Sequence, residues 1–263
     1  MKKIQILRIL ILYSIVDMLV YYPPRLYLLS WFPRIFAQVT FFAIIADFVG
    51  GQAFLHYSLI GNSFYILVSS LIIGVAISVT WERRAGTLPL LIASPTHPLF
   101  IFSGRNVGMA LHGLINGLVS IYIIAPILGV HLGIMQVFAL LLPILFITIS
   151  SYGVGLLLGA ISLYTRGYHN VVSNFIVFTI LVLCGVNYPV STLPQALQIV
   201  AWFLPLTHGL QAARLLLDGN FTSQIIVLLC QELIVGVLYA LLAQLLIGKL
   251  IFQARSAGTL EYS

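Results

Sequence analysis

The chain has 263 residues, of which 61% are apolar and only 7% charged. A water-soluble domain runs about 45–50% apolar and about 25% charged, so twelve Lys and Arg with six Asp and Glu cannot cover a soluble surface of this size. The same apolar content excludes a disordered chain, and the net charge of +6 becomes a matter of sidedness across a membrane rather than of nucleic-acid binding.

The apolar runs are long and unbroken, which excludes a membrane β-barrel built from alternating strands. In hydrocarbon a helix satisfies its backbone polar groups within one segment, and about 20 apolar residues suffice to cross. Residues 1–30 are apolar but carry Lys2, Lys3, Arg8 and Asp17, and Pro23 with Pro24 ends any helix there. That polar edge predicts an amphipathic helix lying in the membrane interface. Crossings are predicted over 31–50, 57–80, 100–125, 134–163, 169–187 and 221–248, with a charged loop at 81–98. Residues 188–218 are cut by Pro189, Pro194 and Pro205 into pieces too short to cross. Breaks at membrane depth survive only inside protein or beside water, which predicts a re-entrant helical hairpin. The expected architecture is one all-α integral membrane domain over 1–263, with six transmembrane helices.

Lysines and arginines orient it. With the N-terminus in the cytoplasm, Lys2, Lys3, Arg8, Arg25, Arg34, Arg83, Arg84, Arg105, Arg166, Lys249 and Arg255 fall on the inner side and Arg214 alone outside. A seventh crossing over 4–22 would move Lys2, Lys3 and Arg8 outward and weaken that asymmetry. Both termini are therefore expected in the cytoplasm, in a bacterial-type plasma membrane. No small-residue cleavage site follows the first apolar run, so no removable signal peptide is expected.

The loop after the second crossing reads Trp81-Glu82-Arg83-Arg84-Ala85-Gly86-Thr87-Leu88-Pro89-Leu90-Leu91-Ile92-Ala93-Ser94-Pro95. A charged cluster gives way to Leu88, Leu91 and Ile92 at helical spacing, and Ser94-Pro95 stops the pattern. The spacing predicts a short helix along the membrane face, exposed to a partner or else a plain charged turn.

Glu82-Arg83-Arg84-Ala85-Gly86-Thr87-Leu88, followed by Leu91 and Ser94-Pro95, resembles the signature of the type-2 ATP-binding-cassette (ABC) exporter permeases. Tyr188-Pro189-Val190, Leu193-Pro194, Leu204-Pro205-Leu206-Thr207 and Ala213-Arg214 resemble the same family's stretch between its fifth and sixth spans. The order of elements agrees along the whole chain; Pro89 departs from the pattern, falling where a helix former is commoner. The resemblance implies a coupling helix within 82–95 that docks on a separate ABC ATPase. Two ATPase and two permease copies, identical or related, would assemble in the lipid. ATP and Mg would be bound by the ATPase, with no cofactor on this chain and no nucleic acid as partner. Glu82, Arg83 and Arg84 would make polar contacts and hold the end of span two; Gly86 would allow the turn and Thr87 cap the next helix. Leu88 and Leu91 would be apolar contacts, and Ser94-Pro95 the stop. Pro189, Pro194, Pro205 and Arg214 would form the re-entrant hairpin. The N-terminal pattern of the polysaccharide-exporting branch is not found, which tilts the expected cargo toward a drug, natural product or lipid-like molecule.

The chain lacks its own engine: no Gly-x-x-x-x-Gly-Lys-Ser/Thr phosphate loop occurs, and Lys249 is followed by Leu250. No catalytic residue is assigned. Ionisable groups at membrane depth are costly and each needs a reason. Glu232, deep in span six, is read either as a cation or substrate contact or as a carboxyl bonded to a neighbouring span. Asn106, His112 and Asn116 are expected to make interhelical hydrogen bonds. Asn170 and Asn174 lie one turn apart, and the family's dimer contact along spans one and five would set them beside the substrate path. Gly155 and Gly159 predict a close helix approach. Cys184 and Cys230 read as packed thiols, and neither cysteines nor histidines show a metal spacing. The alternatives are an ion-coupled carrier, for which Glu232 alone is thin support, and an intramembrane hydrolase, for which no serine–histidine arrangement stands out.

Overall fold

The computed structural model describes residues 2–87, 98–164 and 169–256. Every regular element among them is helical. The first, α1 (Lys2–Tyr21), stops at Pro23-Pro24, where proline rings cannot continue the ladder. A short turn of helix at Pro24–Leu26 and a π turn at Tyr27–Trp31 lead into α2 (Phe32–Arg84). The π turn stands just before Pro33 and a second one, Ser120–Ile124, just before Pro126. In both places the missing proline N–H forces the preceding turn to widen.

Although α2 runs for 53 residues, it is not straight. Gly51 has φ 67° and ψ −161°, a conformation open to glycine. The Ser58 hydroxyl donates to the Phe42 carbonyl at 3.4 Å across 16 residues, a separation that would measure about 24 Å along a straight helix. The chain therefore doubles back into two limbs, 32–50 and 52–84. The second limb is the axis of the molecule: Leu59, Phe64, Leu67, Val68, Leu71, Ile72 and Val75 are all fully buried.

Beyond it come α3 (Pro98–Arg105), a break at Asn106, and α4 (Val107–Val119), which continues through the π turn to Ile127. Then follow α5 (Ile134–Tyr164), α6 (His169–Leu183), α7 (Gln195–Phe203), α8 (Thr207–Leu217) and α9 (Ser223–Ser256). Five stretches among the described residues are long and apolar enough to cross a membrane: Ile4–Tyr21, Pro24–Glu82, Val107–Ile127, Ile134–Ser162 and Ser223–Lys249. Asn170–Leu183 is a shorter apolar helix. Five such stretches stand where six crossings were predicted, and the predicted segment 100–125 is broken at Asn106. Other bounds differ as well. Within the predicted interfacial segment 1–30, Ile4–Tyr21 is a helix long enough to cross, not only to lie flat; α6 ends at Leu183 rather than 187; and α9 runs past the predicted end at 248.

The surface is that of a protein in lipid. Phe48, Ile134, Phe138, Phe175, Ile226 and Leu245 are all exposed, a pattern that hydrocarbon tolerates and water does not. Inside, glycines let backbones touch. A Cβ on Gly153 would lie 2.4 Å from the Gly236 carbonyl, and one on Gly236 would lie 2.5 Å from Ser150 Cα, so α5 and α9 cross backbone to backbone. Gly155 faces the other way, onto Val75 of the second limb. Close approach is thus shared between Gly153 and Gly155 on two sides of α5.

Candidate functional site

The second limb ends at Arg84, and the turn after it is built by glycine. Gly86 has φ 69°, and the Thr87 N–H bonds the Glu82 carbonyl at 3.1 Å while Ala85 N–H bonds Trp81 O at 2.9 Å. This six-to-one closure around a left-handed residue is the Schellman stop. Thr87 adds its hydroxyl, which donates to the Glu82 carbonyl and carboxylate. The hydroxyl faces back onto the preceding helix. Leu88, Pro89, Leu91, Ser94 and Pro95, and with them the predicted coupling helix, lie outside the described residues, as do the side chains of Arg83 and Arg84.

Glu82 is more deeply engaged than its sequence neighbours suggested. Its other carboxylate oxygen pairs with Arg105 Nε at 2.5 Å, and Arg105 Nη2 reaches Asp17 at 3.2 Å. The three charges join α1, the foot of the second limb and the end of α3. Ser14 strengthens the joint: its hydroxyl donates to Arg105 O at 2.6 Å and accepts from Gly108 N–H at 2.7 Å, bridging the break at Asn106. Asn106 accepts from the Ser78 hydroxyl and donates to Phe102 O. A cavity of about 110 Å³ lies among these groups. Sequence reading named Glu82 but missed Asp17, Arg105, Ser14 and Ser78 as a unit; the available signal was that Asp17 and Arg105 are isolated opposite charges in apolar runs. Ser14→Ala should lower stability by about 1–3 kcal/mol, because it strands the buried Gly108 N–H. Thermal unfolding of the detergent-solubilised chain reads this, and an unchanged midpoint would count against the bridge.

At the opposite end Arg214 ties the bundle together. Its guanidinium lies 3.4 Å over the Tyr57 ring and donates to Gly185 O at 2.8 Å and to Tyr57 O and Val186 O at 3.2 Å. It thereby satisfies carbonyls left open after α6 ends. Pro189 and Pro194 stand immediately before the 3₁₀ turn Val190–Thr192 and before α7, and Pro205 lies in the link to α8. A cavity of about 370 Å³ opens beside Arg214, with His56, His131, Gln136 and Asp218 in its wall.

Glu232 is fully buried on α9. It accepts from the N–H of Leu206 at 2.8 Å, from the N–H of Gly209 at 2.9 Å and from the Ser150 hydroxyl. Leu206 has φ 87°, so the carboxylate caps the start of α8 from another helix. Asn170 and Asn174 are exposed, and Asn174 donates to Asn170 O within α6. Among the described residues no hydrogen bond joins that pair to Glu232. Of the span-three residues, Asn116 accepts from Tyr27 OH at 2.8 Å, whereas His112 stacks on Tyr22 with ring centroids 3.8 Å apart.

The fold is a lipid-faced helical bundle whose helix ends are clamped by Arg105 and Arg214. The family model described as ABC-2 type transporter matches residues 33–217, from the start of α2 to the end of α8. The chain belongs to that family: it is a multi-pass ABC transporter permease, a class that works in transport alongside an ABC ATPase and is not itself generally catalytic. No individual curated protein matches the chain.

Proposed function

We propose that the chain is the translocation subunit of an ATP-driven exporter, crossing the plasma membrane six times with both termini in the cytoplasm. Residues 82–95 dock in a groove of a separate ATPase, which binds ATP and Mg. Two permeases and two ATPases form the working unit. The observation that supports this reading best is the joint at the foot of the second limb. Glu82, Arg105 and Asp17 lock the base of the coupling segment to α1 and α3. A push on 82–95 is then delivered to three helices together instead of being lost in a loose turn.

In this mechanism nucleotide-driven closure of the ATPase pair displaces the joint, and the second limb, with most of its residues from Ser58 to Ala76 buried, carries the displacement to the Arg214 end. Substrate occupancy biases ATP turnover by the same coupling free energy, since linkage is reciprocal. Asn170 and Asn174 lie on an outward face near the path between two copies. The cargo is a drug, natural product or lipid-like molecule. Affinity capture of the full chain in mild detergent tests the assembly. Mass spectrometry is expected to find a co-purifying chain with a phosphate-loop motif, whose ATPase rate rises with cargo. Movement of cargo by the purified chain alone would overturn the reading.

A further inference from the structure

We infer that a cleft between the two limbs of α2 binds the phosphate headgroup of an anionic membrane lipid, with Arg34 as its counter-ion. The cleft is about 200 Å³ and lies in the half of the molecule nearer Glu82. Tyr22, Trp31, Arg34 and Gln38 line one side, and Ser69, Ser70 and Ile73 of the second limb line the other. Arg34 is exposed within an apolar segment, and among the described residues no carboxylate lies within salt-bridge distance of it. Its guanidinium sits 5.2 Å from the Trp31 ring centroid, which uses one face of the plane and leaves the N–H edge for an acceptor. The side chains of Gln38 and Ser70 likewise have no hydrogen-bond partner among the described residues, while the Ser69 hydroxyl makes only a long bond to Ile66 O at 3.3 Å.

The walls are held in place. Tyr22 is stacked on His112, and Trp31 meets the edge of the same imidazole with centroids 5.0 Å apart. The cleft thus presents a cation, an amide and two hydroxyls between fixed aromatic rings. Its volume is below the about 300–1,000 Å³ of sites that enclose a whole ligand, so it suits a headgroup rather than a complete amphiphile. Outside it Phe41, Ile45 and Phe48 continue along the exposed face of the first limb, a track on which acyl chains can lie. Basic pockets between membrane helices hold anionic headgroups by this chemistry. The inference requires that the limbs sit in a bilayer, not that an ATPase is coupled.

The test is native mass spectrometry of the full chain in detergent with added phosphatidylglycerol or phosphatidylcholine. Wild type is expected to retain phosphatidylglycerol at least tenfold more strongly than phosphatidylcholine. Arg34→Gln should lose that preference, whereas Arg25→Gln, which removes an exposed charge nine residues earlier, should keep it. Ser70→Phe fills the cleft without touching the charge and should also lose binding, which serves if Arg34→Gln fails to fold. Retention by Arg34→Gln or Ser70→Phe, equal loss in Arg25→Gln, or equal binding of both lipids would overturn the assignment. Co-purification of the ATPase is read on the same samples, so loss of lipid binding and loss of the permease assembly are distinguishable outcomes.

Discussion

Glu82→Ala should abolish ATP-driven transport while leaving the chain inserted in the membrane. The carboxylate accepts from Arg105 on one oxygen and from Thr87 on the other, and its side chain is only 14% exposed. Alanine removes both bonds at once. Arg105 keeps Asp17, itself 39% exposed and therefore the weaker, more screened partner. The stop of the second limb also loses the side-chain half of its closure, although Gly86 still turns the chain. Stranded polar groups at a partly buried joint cost about 1–3 kcal/mol each. That is enough to free the proposed coupling segment from α1 and α3, and small beside the apolar burial that drives insertion. The measurement is cargo movement in proteoliposomes containing the ATPase partner, with insertion followed separately. Gly86→Pro should act alike, because proline holds φ near about −65° where the turn needs +69°. Normal export by both variants would remove this loop as the point of coupling.

Glu232→Leu should be the most damaging conservative-volume change in the interior. It leaves the N–H groups of Leu206 and Gly209 and the Ser150 hydroxyl without their acceptor, in a part of the protein that water does not reach. At about 1–3 kcal/mol for each stranded group, the start of α8 should loosen by several kcal/mol. Glu232→Gln should fall between, since its amide oxygen replaces one acceptor while its NH₂ meets a donor at the other. Unfolding midpoints in detergent, together with protease cleavage near Leu206, give the order wild type, Gln, Leu. A leucine variant as stable as wild type would show that the cap is dispensable.

Much was written locally. Apolar run length, the scarcity of charge and the prolines at 23–24, 189, 194 and 205 state a helical membrane protein with a broken stretch before its last helix, because backbone hydrogen bonds in lipid have few solutions. Gly86 states its turn, because a left-handed stop selects glycine. The family was legible in Glu82 to Pro95 and in 188–214, and the match over 33–217 agrees with it.

The remainder depended on contacts between distant parts of the chain. Arg105 meets Asp17 across 88 residues and Glu82 across 23, and no periodicity announces such a meeting. Glu232 could be read as a substrate contact or as a carboxyl bonded to a neighbouring span; only the placement of α8 against it shows the bonding partners, where its carboxylate is a cap. His112 was expected to hydrogen-bond and instead stacks on Tyr22, because the turn at Pro23–Pro24 brings that ring alongside. The reversal at Gly51 was placed only as a gap between predicted spans, yet it fixes which faces of the two limbs enclose Arg34. Hydropathy determines where each segment may lie; which polar groups meet is decided by close packing, where two backbones touch at a glycine and a buried donor takes the acceptor within reach.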